Sequence, residues 1–325
     1  MRELCQTARG DLGFSTVPAV RVTNVQDAPR SYTAKLVLTS SQNRSEVLLK
    51  IVRRGATPAD AQSLAAKEFR ILQSAHDRFA AEQRISVPKP IRLFEDCAAY
   101  AMKFVSGRPL TRAFSHTLRG FLSSRRFIAC VVAARDCGRW LSVFHSLPTA
   151  PASAQELFQR QISSLHARLD HARTRQLLDD RTIVRLRQRF SIENRDAPDQ
   201  PVGLAHHDFG PHNILITPAG ICVLDLGDAQ PQCILHDVAR FCLEIDILAS
   251  GWSLFDRRGQ YEQLRDAFLS SYGVSLNDSR LELFTANGAL ALMLTALPNG
   301  KSSPGVSSWH RHLGRYLIQR LTIAA

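Results

Sequence analysis

From residue 20 to residue 53 apolar and polar residues alternate with the two-residue period of half-buried strands. Three runs carry the alternation: Val20-Arg21-Val22, Ser31 to Leu38, and Glu46 to Val52, with a polar turn at Ser40 to Ser45 before the last. The period then changes. Thr57-Pro58 is an N-cap followed by a first-turn proline, and Ala59 to Phe79 has helical spacing, with Phe69, Leu72 and Phe79 on its apolar side. Pro88-Lys89-Pro90 starts an extended stretch in which Ile91 to Phe94 and Tyr100 to Val105 read as strands around the polar turn Glu95-Asp96. Beyond Gly107 the pattern is helical. Leu110 to Leu147 is stopped by Pro148 and draws a core face from Ile128, Val131, Val132, Trp140, Leu141 and Phe144, and Ala152 to Arg195 is a second helical region bearing both charge signs. A late strand signal interrupts: Ile214 to Ile216 and Ile221 to Leu224 flank Pro218-Ala219-Gly220, which is a hairpin. His236-Asp237 opens another helix, and Asp246 to Ala325 reads as further helices with breaks at Gly273 and around Pro298 to Pro304.

A chain of 325 residues with 45% apolar content exceeds one core and can fill two. The expected class is α+β: a small lobe over residues 1–106 with an antiparallel sheet and one helix, and a larger, mainly helical lobe over 107–325. The longest uncharged apolar run, Gly288 to Pro298, has 11 residues, against roughly 18 for a bilayer span. It reads as a buried helix. The first residues lack a secretory pattern, and seven scattered cysteines without a C-x-x-C pair read as reduced core residues, so the expected compartment is cytoplasmic. Net charge is +12, and residues 101–150 contribute +7 of it, with eight Lys and Arg against Asp136. No aromatic-interleaved basic patch accompanies the charge, so nucleic acid is not an expected partner, while peripheral contact with a membrane surface is compatible with it.

The candidate chemistry lies in Leu204 to Asp228, LAHHDFGPHNILITPAGICVLDLGD. Asn213 enters the first strand of the hairpin and Asp225 leaves the second, so both oxygen-bearing side chains fall near one end of it, with Asp208 just upstream. Magnesium is held by one or two such oxygens together with substrate phosphates. Asn213 and Asp225 therefore form a candidate metal clip, and Asp208 is placed to act on a hydroxyl. Lys50 is a second signal, since a lysine inside an apolar strand is costly without an anionic partner, and Glu68 on the following helix could supply one.

This segment resembles the aminoglycoside phosphotransferase and choline kinase-like family of protein-kinase-like fold, whose loop runs H-G-D-x-x-P-x-N and whose metal segment runs I-D-F-G-D. His206, Asp208, Pro211, Asn213, Asp225, Gly227 and Asp228 match; His207 stands for Gly and Leu226 for Phe. The resemblance implies a bilobal fold and transfer of the γ-phosphoryl group of ATP or GTP to a hydroxyl of a small molecule. It implies Asp208, with His206, as the catalytic group and Asn213 and Asp225 as the Mg2+ ligands. It further implies Lys50 paired with Glu68 on the nucleotide phosphates, and backbone groups at Lys103 to Val105 on the base. Asp237 matches an aspartate that fastens the catalytic loop from below, and His145 ends a helix in the manner of a packed core histidine. A glycine-rich phosphate loop is expected between the first two strands, yet Asn24 to Tyr32 contains no glycine. Either Ser31 and neighbouring amides substitute, or nucleotide binding is weakened.

Three other functions fit parts of the pattern. A protein kinase would need an A-P-E activation segment, whereas Asp225 runs within twelve residues into the Asp237 helix. A catalytically inactive nucleotide binder would explain the missing glycines. A zinc hydrolase would use His206, His207, Asp208 and His212, without a helical H-E-x-x-H frame. Among phosphoryl acceptors, polycationic aminoglycosides call for acidic walls, and the +7 stretch favours a sugar or another neutral or anionic metabolite instead.

Overall fold

The computed structural model describes residues 12, 14–55, 57–119, 123–191, 201–250, 258–275, 278, 280–297 and 308–324. The chain divides into two compact units, Met1–Arg108 with Leu215–Ala229, and Pro109–Ile214 with Gln230–Ala325.

The first unit is built on a five-stranded antiparallel sheet. Its strands are β1 (Ala19–Ala28), β2 (Ser31–Thr39), β3 (Arg44–Val52), β5 (Pro90–Phe94) and β6 (Ala99–Lys103), in the order β1-β2-β3-β6-β5, and a short β4 (Ile85–Ser86) lies outside it. The alternation of β2 and β3 turns Ala34, Leu36, Leu38 and Val47 inward, onto Phe14 and Ala101. The first strand is longer than expected. It runs through Asn24 to Ala28, with a register shift between Val22 and Asn24, so the stretch read as a loop is mostly strand and only Pro29-Arg30 turns. The period-2 signal failed there because β1 is an exposed edge with little apolar alternation.

Helix α1 (Pro58–Phe79) starts where the sequence puts it. Thr57 caps it, accepting from the Asp60 amide at 3.2 Å, while the Asp60 carboxylate accepts from the Thr57 amide at 3.0 Å, a reciprocal capping box. Ala65, Glu68, Phe69, Leu72, Ala75 and Phe79 form its buried face. Each of the large apolar side chains among them contributes about 1.5–3 kcal/mol by leaving water. The late hairpin groups with this unit because its second strand pairs in parallel with β4, Ile221 opposite Ile85 and Cys222 opposite Ser86.

The second unit is mainly helical: α2 (Leu110–Arg119), α3 (Ser124–His145), α4 (Ala154–Thr174), α5 (Asp180–Arg189), α6 (Leu235–Ser250), α7 (Arg258–Tyr272), α8 (Arg280–Ala296) and α9 (Ser308–Ala324). The strand β7 (Val202–Ala205) precedes the loop of interest and pairs antiparallel with β10 (Gln230–Cys233); the hairpin strands between them are β8 (Ile214–Thr217) and β9 (Gly220–Val223). The apolar run in α8 is buried through Ala286, Ala289, Leu290, Met293 and Ala296, as its composition suggests. Gly273, at φ +94°, follows the end of α7.

The core face of α3 differs from the expected one. Ile128 is exposed, and Cys130, Ala133, Ala134, Cys137, Gly138, Trp140, Leu141 and Phe144 are buried. Small side chains matter more here than large ones, because a Cβ on Gly138 would lie 2.2 Å from the Phe268 carbonyl of α7. The break expected around Pro298 to Pro304 lies outside the described residues, whereas the helical region read to Arg195 ends earlier, with α5 at Arg189 capped by Phe190. Among the described residues no helix is long and apolar enough to cross a membrane.

Candidate functional site

In the first unit Lys50 sits on a central strand, opposite Thr33 on one side and Tyr100 on the other, and only 7% of it is exposed. That excludes an edge lysine facing solvent. Its ammonium lies 3.0 Å from Glu68 Oε2 and 2.8 Å from Asp225 Oδ1. Glu68, buried on α1, also accepts from the Tyr100 hydroxyl at 3.1 Å. Burial alone would push the Lys50 pKa down; the fields of Tyr100, Asp225 and Glu68 reverse this and hold it well above its ordinary value. Lys50 is thus a fixed positive charge.

The Asp225 segment explains its own residue types. Asp225 takes a left-handed backbone at φ +56°, which aspartate tolerates better than most residues, and its side chain is 56% exposed. Gly227 has no room for a side chain, since a Cβ there would lie 2.4 Å from Glu68 Oε1. Asp228 is gripped by both terminal nitrogens of Arg54, at 2.5 and 2.9 Å, and is met by Arg30 at 3.4 Å. The Asp228 contact holds the Arg54 guanidinium above its usual pKa. No local pattern of residues marks Arg54, Arg30 or Tyr100 as parts of this cluster, and sequence reasoning missed all three.

At the strand end the Lys103 amide already donates to the Lys89 carbonyl at 2.8 Å, and the Phe104 amide to the Glu46 carbonyl at 3.0 Å. The Lys103 and Phe104 N–H groups are therefore already engaged within the first unit, which leaves the other backbone groups of Lys103 to Val105 for a base. The Val105 amide makes no hydrogen bond among the described residues.

In the second unit the loop after β7 hangs from one carboxylate. Asp237, wholly buried in the first turn of α6, accepts from the His206 amide at 2.6 Å and the His207 amide at 2.9 Å. His145 Nε2 lies 3.1 Å from the same carboxylate, and His145 Nδ1 lies 2.8 Å from the Tyr272 hydroxyl. Burial, partly opposed by Asp237, lowers the His145 pKa. The imidazole is accordingly neutral, donating through Nε2 to Asp237 and accepting at Nδ1 from Tyr272. Burial would raise the Asp237 pKa, but His145 and His236 draw it well below the ordinary carboxylate value.

His206 is 0% exposed, with its ring among Trp140, Phe144 and Phe209 and its Nδ1 accepting from the Asp208 amide at 3.4 Å. A side chain so enclosed cannot meet a substrate. His206 holds the loop's shape rather than moving a proton, which corrects its reading as a catalytic group.

Asp208 is part-exposed and held on three sides. Asn213 Nδ2 donates to its Oδ2 and to its carbonyl, both at 3.0 Å; His212 Nε2 lies 3.2 Å from Oδ2, and Arg240 Nη2 lies 3.3 Å from Oδ1. Glu244 balances the two cations, meeting His212 Nδ1 at 3.2 Å and Arg240 Nε at 2.7 Å. Gly210 makes this possible, because a Cβ there would lie 2.6 Å from Glu244 Oε2. Asp208 and Glu244 push the His212 pKa up to about 10, while burial of Asp208 is outweighed by His212 and Arg240, so its pKa falls. At neutral pH the cluster holds two cations and two anions. Arg240 and Glu244 were missed from the sequence, although their i, i+4 spacing on one helix face was a visible signal.

Asp208 offers only acceptors to Asn213, so the amide presents its NH2 and turns its carbonyl oxygen away. That oxygen and the exposed carboxylate of Asp225 are hard donors of the kind a divalent cation takes. Among the described residues no three His, Cys, Asp or Glu side chains are grouped to hold a metal. His206 is enclosed by aromatic rings, His207 Nε2 lies 3.0 Å from Gln230 Nε2 and His212 is engaged by carboxylates, which speaks against the zinc-hydrolase alternative.

A sheet-and-helix unit carrying a lysine–glutamate pair, with a mainly helical unit carrying an aspartate–asparagine loop, is the protein-kinase-like arrangement. A family model described as "Phosphotransferase enzyme family" matches residues 29–283. The chain belongs to that family. Solved structures share the fold at low identity. The streptomycin–ATP ternary complex of APH(2")-IIa aligns with 14% identity over 98% of this chain and 95% of that chain, at a TM-score of 0.52. A glucosamine kinase aligns with 14% identity over 93% and 94%, at 0.57. The amicoumacin kinase hAmiN in complex with AMP-PNP, Ca2+ and Ami aligns with 13% identity over 93% and 88%, at 0.54. No curated protein matches the chain by sequence.

Proposed function

We propose that this phosphotransferase is a small-molecule kinase, passing the γ-phosphoryl group of ATP (or GTP) to a hydroxyl of its acceptor. The observation that carries the reading is the Asp208 carboxylate, part-exposed, anionic and fixed by Asn213, His212 and Arg240. Structural relatives solved with ATP or AMP-PNP support the nucleotide, and relatives titled as a streptomycin complex, a glucosamine kinase and an amicoumacin kinase support a small-molecule acceptor in general.

In this reading Asp208 orients the acceptor hydroxyl and receives its proton. Its lowered pKa suits a loose phosphoryl-transfer transition state, where positioning matters more than a strong base. Lys50, kept charged by Glu68 and Asp225, neutralises the α- and β-phosphates, and the Val105 amide is the hinge donor for the base. Asn213 and Asp225 would hold Mg2+, which when bound offsets negative charge on the phosphates. Residues 1–106, together with the hairpin segment 215–229 that groups with them, serve the nucleotide, and the rest of residues 107–325 carries the Asp208 loop and the acceptor.

For the acceptor we favour a neutral or anionic hydroxyl compound, such as a sugar, over a polycation. The +7 carried by residues 101–150 supports this preference, since a surface rich in cations and poor in carboxylates disfavours a polycationic acceptor. A nucleotide binder without turnover is the second reading, favoured by the glycine-free turn at Pro29-Arg30. Purified protein with radiolabelled ATP, Mg2+ and a panel of sugars, amino alcohols and aminoglycosides tests both. Transfer to a hydroxyl that is abolished in Asp208→Ala, with ATP binding retained, supports the kinase; a fully active Asp208→Ala protein refutes the assignment. No transfer to any acceptor, with ATP still bound, favours the second reading.

A further inference from the structure

The turn between β1 and β2 cannot cradle an anion with its backbone. It is two residues long, Pro29 has no N–H, and no residue from Ala28 to Ser31 adopts a positive φ. What the turn does carry is Arg30, whose side chain is 70% exposed and whose ion pair, to Asp228, is long at 3.4 Å. Asp228 does not need that pair, because both its oxygens are taken by Arg54. Arg53, on the same edge, is occupied differently: it lies 2.5 Å from Asp27 and over the Tyr32 ring. The tip of this hairpin thus has three arginines facing two aspartates, and Arg30 is the one loosely held.

Position gives the surplus charge a use. Asp228 is three residues beyond Asp225, which touches Lys50 at 2.8 Å, so Arg30, Arg54 and Lys50 are cations along one short segment of the first unit. A guanidinium offers a planar fork of donors that matches phosphate oxygens, and one such group can replace several uncharged amides.

We propose that Arg30 is a phosphate-binding residue: it leaves Asp228 and takes the terminal phosphates of the nucleotide, standing in for the backbone of a glycine-rich turn. The inference rests on the kinase reading above. Arg54 stays with Asp228 and keeps that carboxylate from competing for Arg30.

Equilibrium binding of ATP, ADP and adenosine to the full chain, with Mg2+ present, tests it by calorimetry. Arg30→Ala should weaken ATP by about tenfold or more, the size of one charge-assisted contact, and leave adenosine unchanged. Arg30→Lys should fall between, and Arg53→Ala should bind ATP like the wild type. Equal ATP affinity in wild type and Arg30→Ala, or an equal loss for adenosine, overturns the proposal. Lys50→Ala separates the two levels. If it weakens ATP while Arg30→Ala does not, only the role of Arg30 falls; if neither substitution matters, the kinase reading falls as well.

Discussion

Lys50 and Glu68 meet at 3.0 Å with both side chains almost wholly out of water, the lysine from a central strand and the glutamate from the helix after it. A buried pair of this kind adds little stability as a pair but is costly to break from one side. Lys50→Met should therefore destabilise the protein by roughly 3–5 kcal/mol, because Glu68 is left charged and buried. The double variant Lys50→Met with Glu68→Leu should recover much of that loss while nucleotide binding stays impaired. Urea unfolding of the three proteins, with ATP titration of each, checks both parts; equal instability of single and double variants would speak against the pairing.

Gly227→Ala should disturb the same pair without touching either charge. The added Cβ would fall 2.4 Å from Glu68 Oε1, so Glu68 or the Asp225 segment must shift. A destabilisation of about 1–3 kcal/mol is the usual cost of such overpacking. The stabilisation of the protein by ATP in thermal unfolding should shrink too, and an unchanged ATP-induced rise in Tm would contradict the geometry.

Acid should loosen the Asp208 loop through His145 and Asp237. The folded-state pKa of His145 is lowered, so the unfolded chain binds the extra proton and stability falls as pH drops below about 6.5. Asp237 is also lowered, so its contribution is present above about 3.8 and is lost as pH falls toward its folded value. Both act in the same direction. Unfolding midpoints at pH 7.5, 5.5, 4 and 2.5 should decline stepwise, and Asp237→Asn should flatten the step below pH 4, where the Asp237 contribution is lost. A variant whose pH profile parallels the wild type would disprove the assignment.

Gly138→Ala tests the helix contact behind the loop. The substituted Cβ would approach the Phe268 carbonyl to 2.2 Å, and backbone cannot yield as a flexible side chain can. A loss of roughly 1–3 kcal/mol is expected, larger than Gly273→Ala produces through backbone strain alone, since nothing lies within 4 Å of a Cβ there. Denaturant midpoints of the two variants give the comparison.

How much of this was legible in the residues depended on whether the signal was local. The hairpin, the capped helix α1 and the spacing of Asp208, Asn213 and Asp225 are short-range patterns and could be read directly. Lys50 stood out because a charge in an apolar strand demands a partner, and Glu68 was an acidic side chain in the body of the following helix. The clamp of His212, Arg240 and Glu244 on Asp208 was hidden because its members come from a loop and from α6, 32 positions apart at the Asp208–Arg240 contact. His206 shows the opposite failure: its position in the motif suggested chemistry, while its burial among aromatic rings could be known only after folding. Ile128 failed for a related reason, as hydrophobicity favours large aliphatics whereas the close approach of α7 requires Gly138, and Cys130 packs against α2 at Ala113 and Thr117.

The hairpin of residues 215–229 belongs to the unit whose other part ends at residue 108. That unit is consequently not a stretch of gene that can be cut out. A fragment ending at residue 108 would keep Lys50 and Glu68 but lose Asp225, Asp228 and the strand that β4 pairs with, leaving Arg54 without its carboxylate. Autonomous expression of this half would require grafting the later segment back by a linker, and a simple truncation should give a polypeptide that is defective for reasons unrelated to its missing partner.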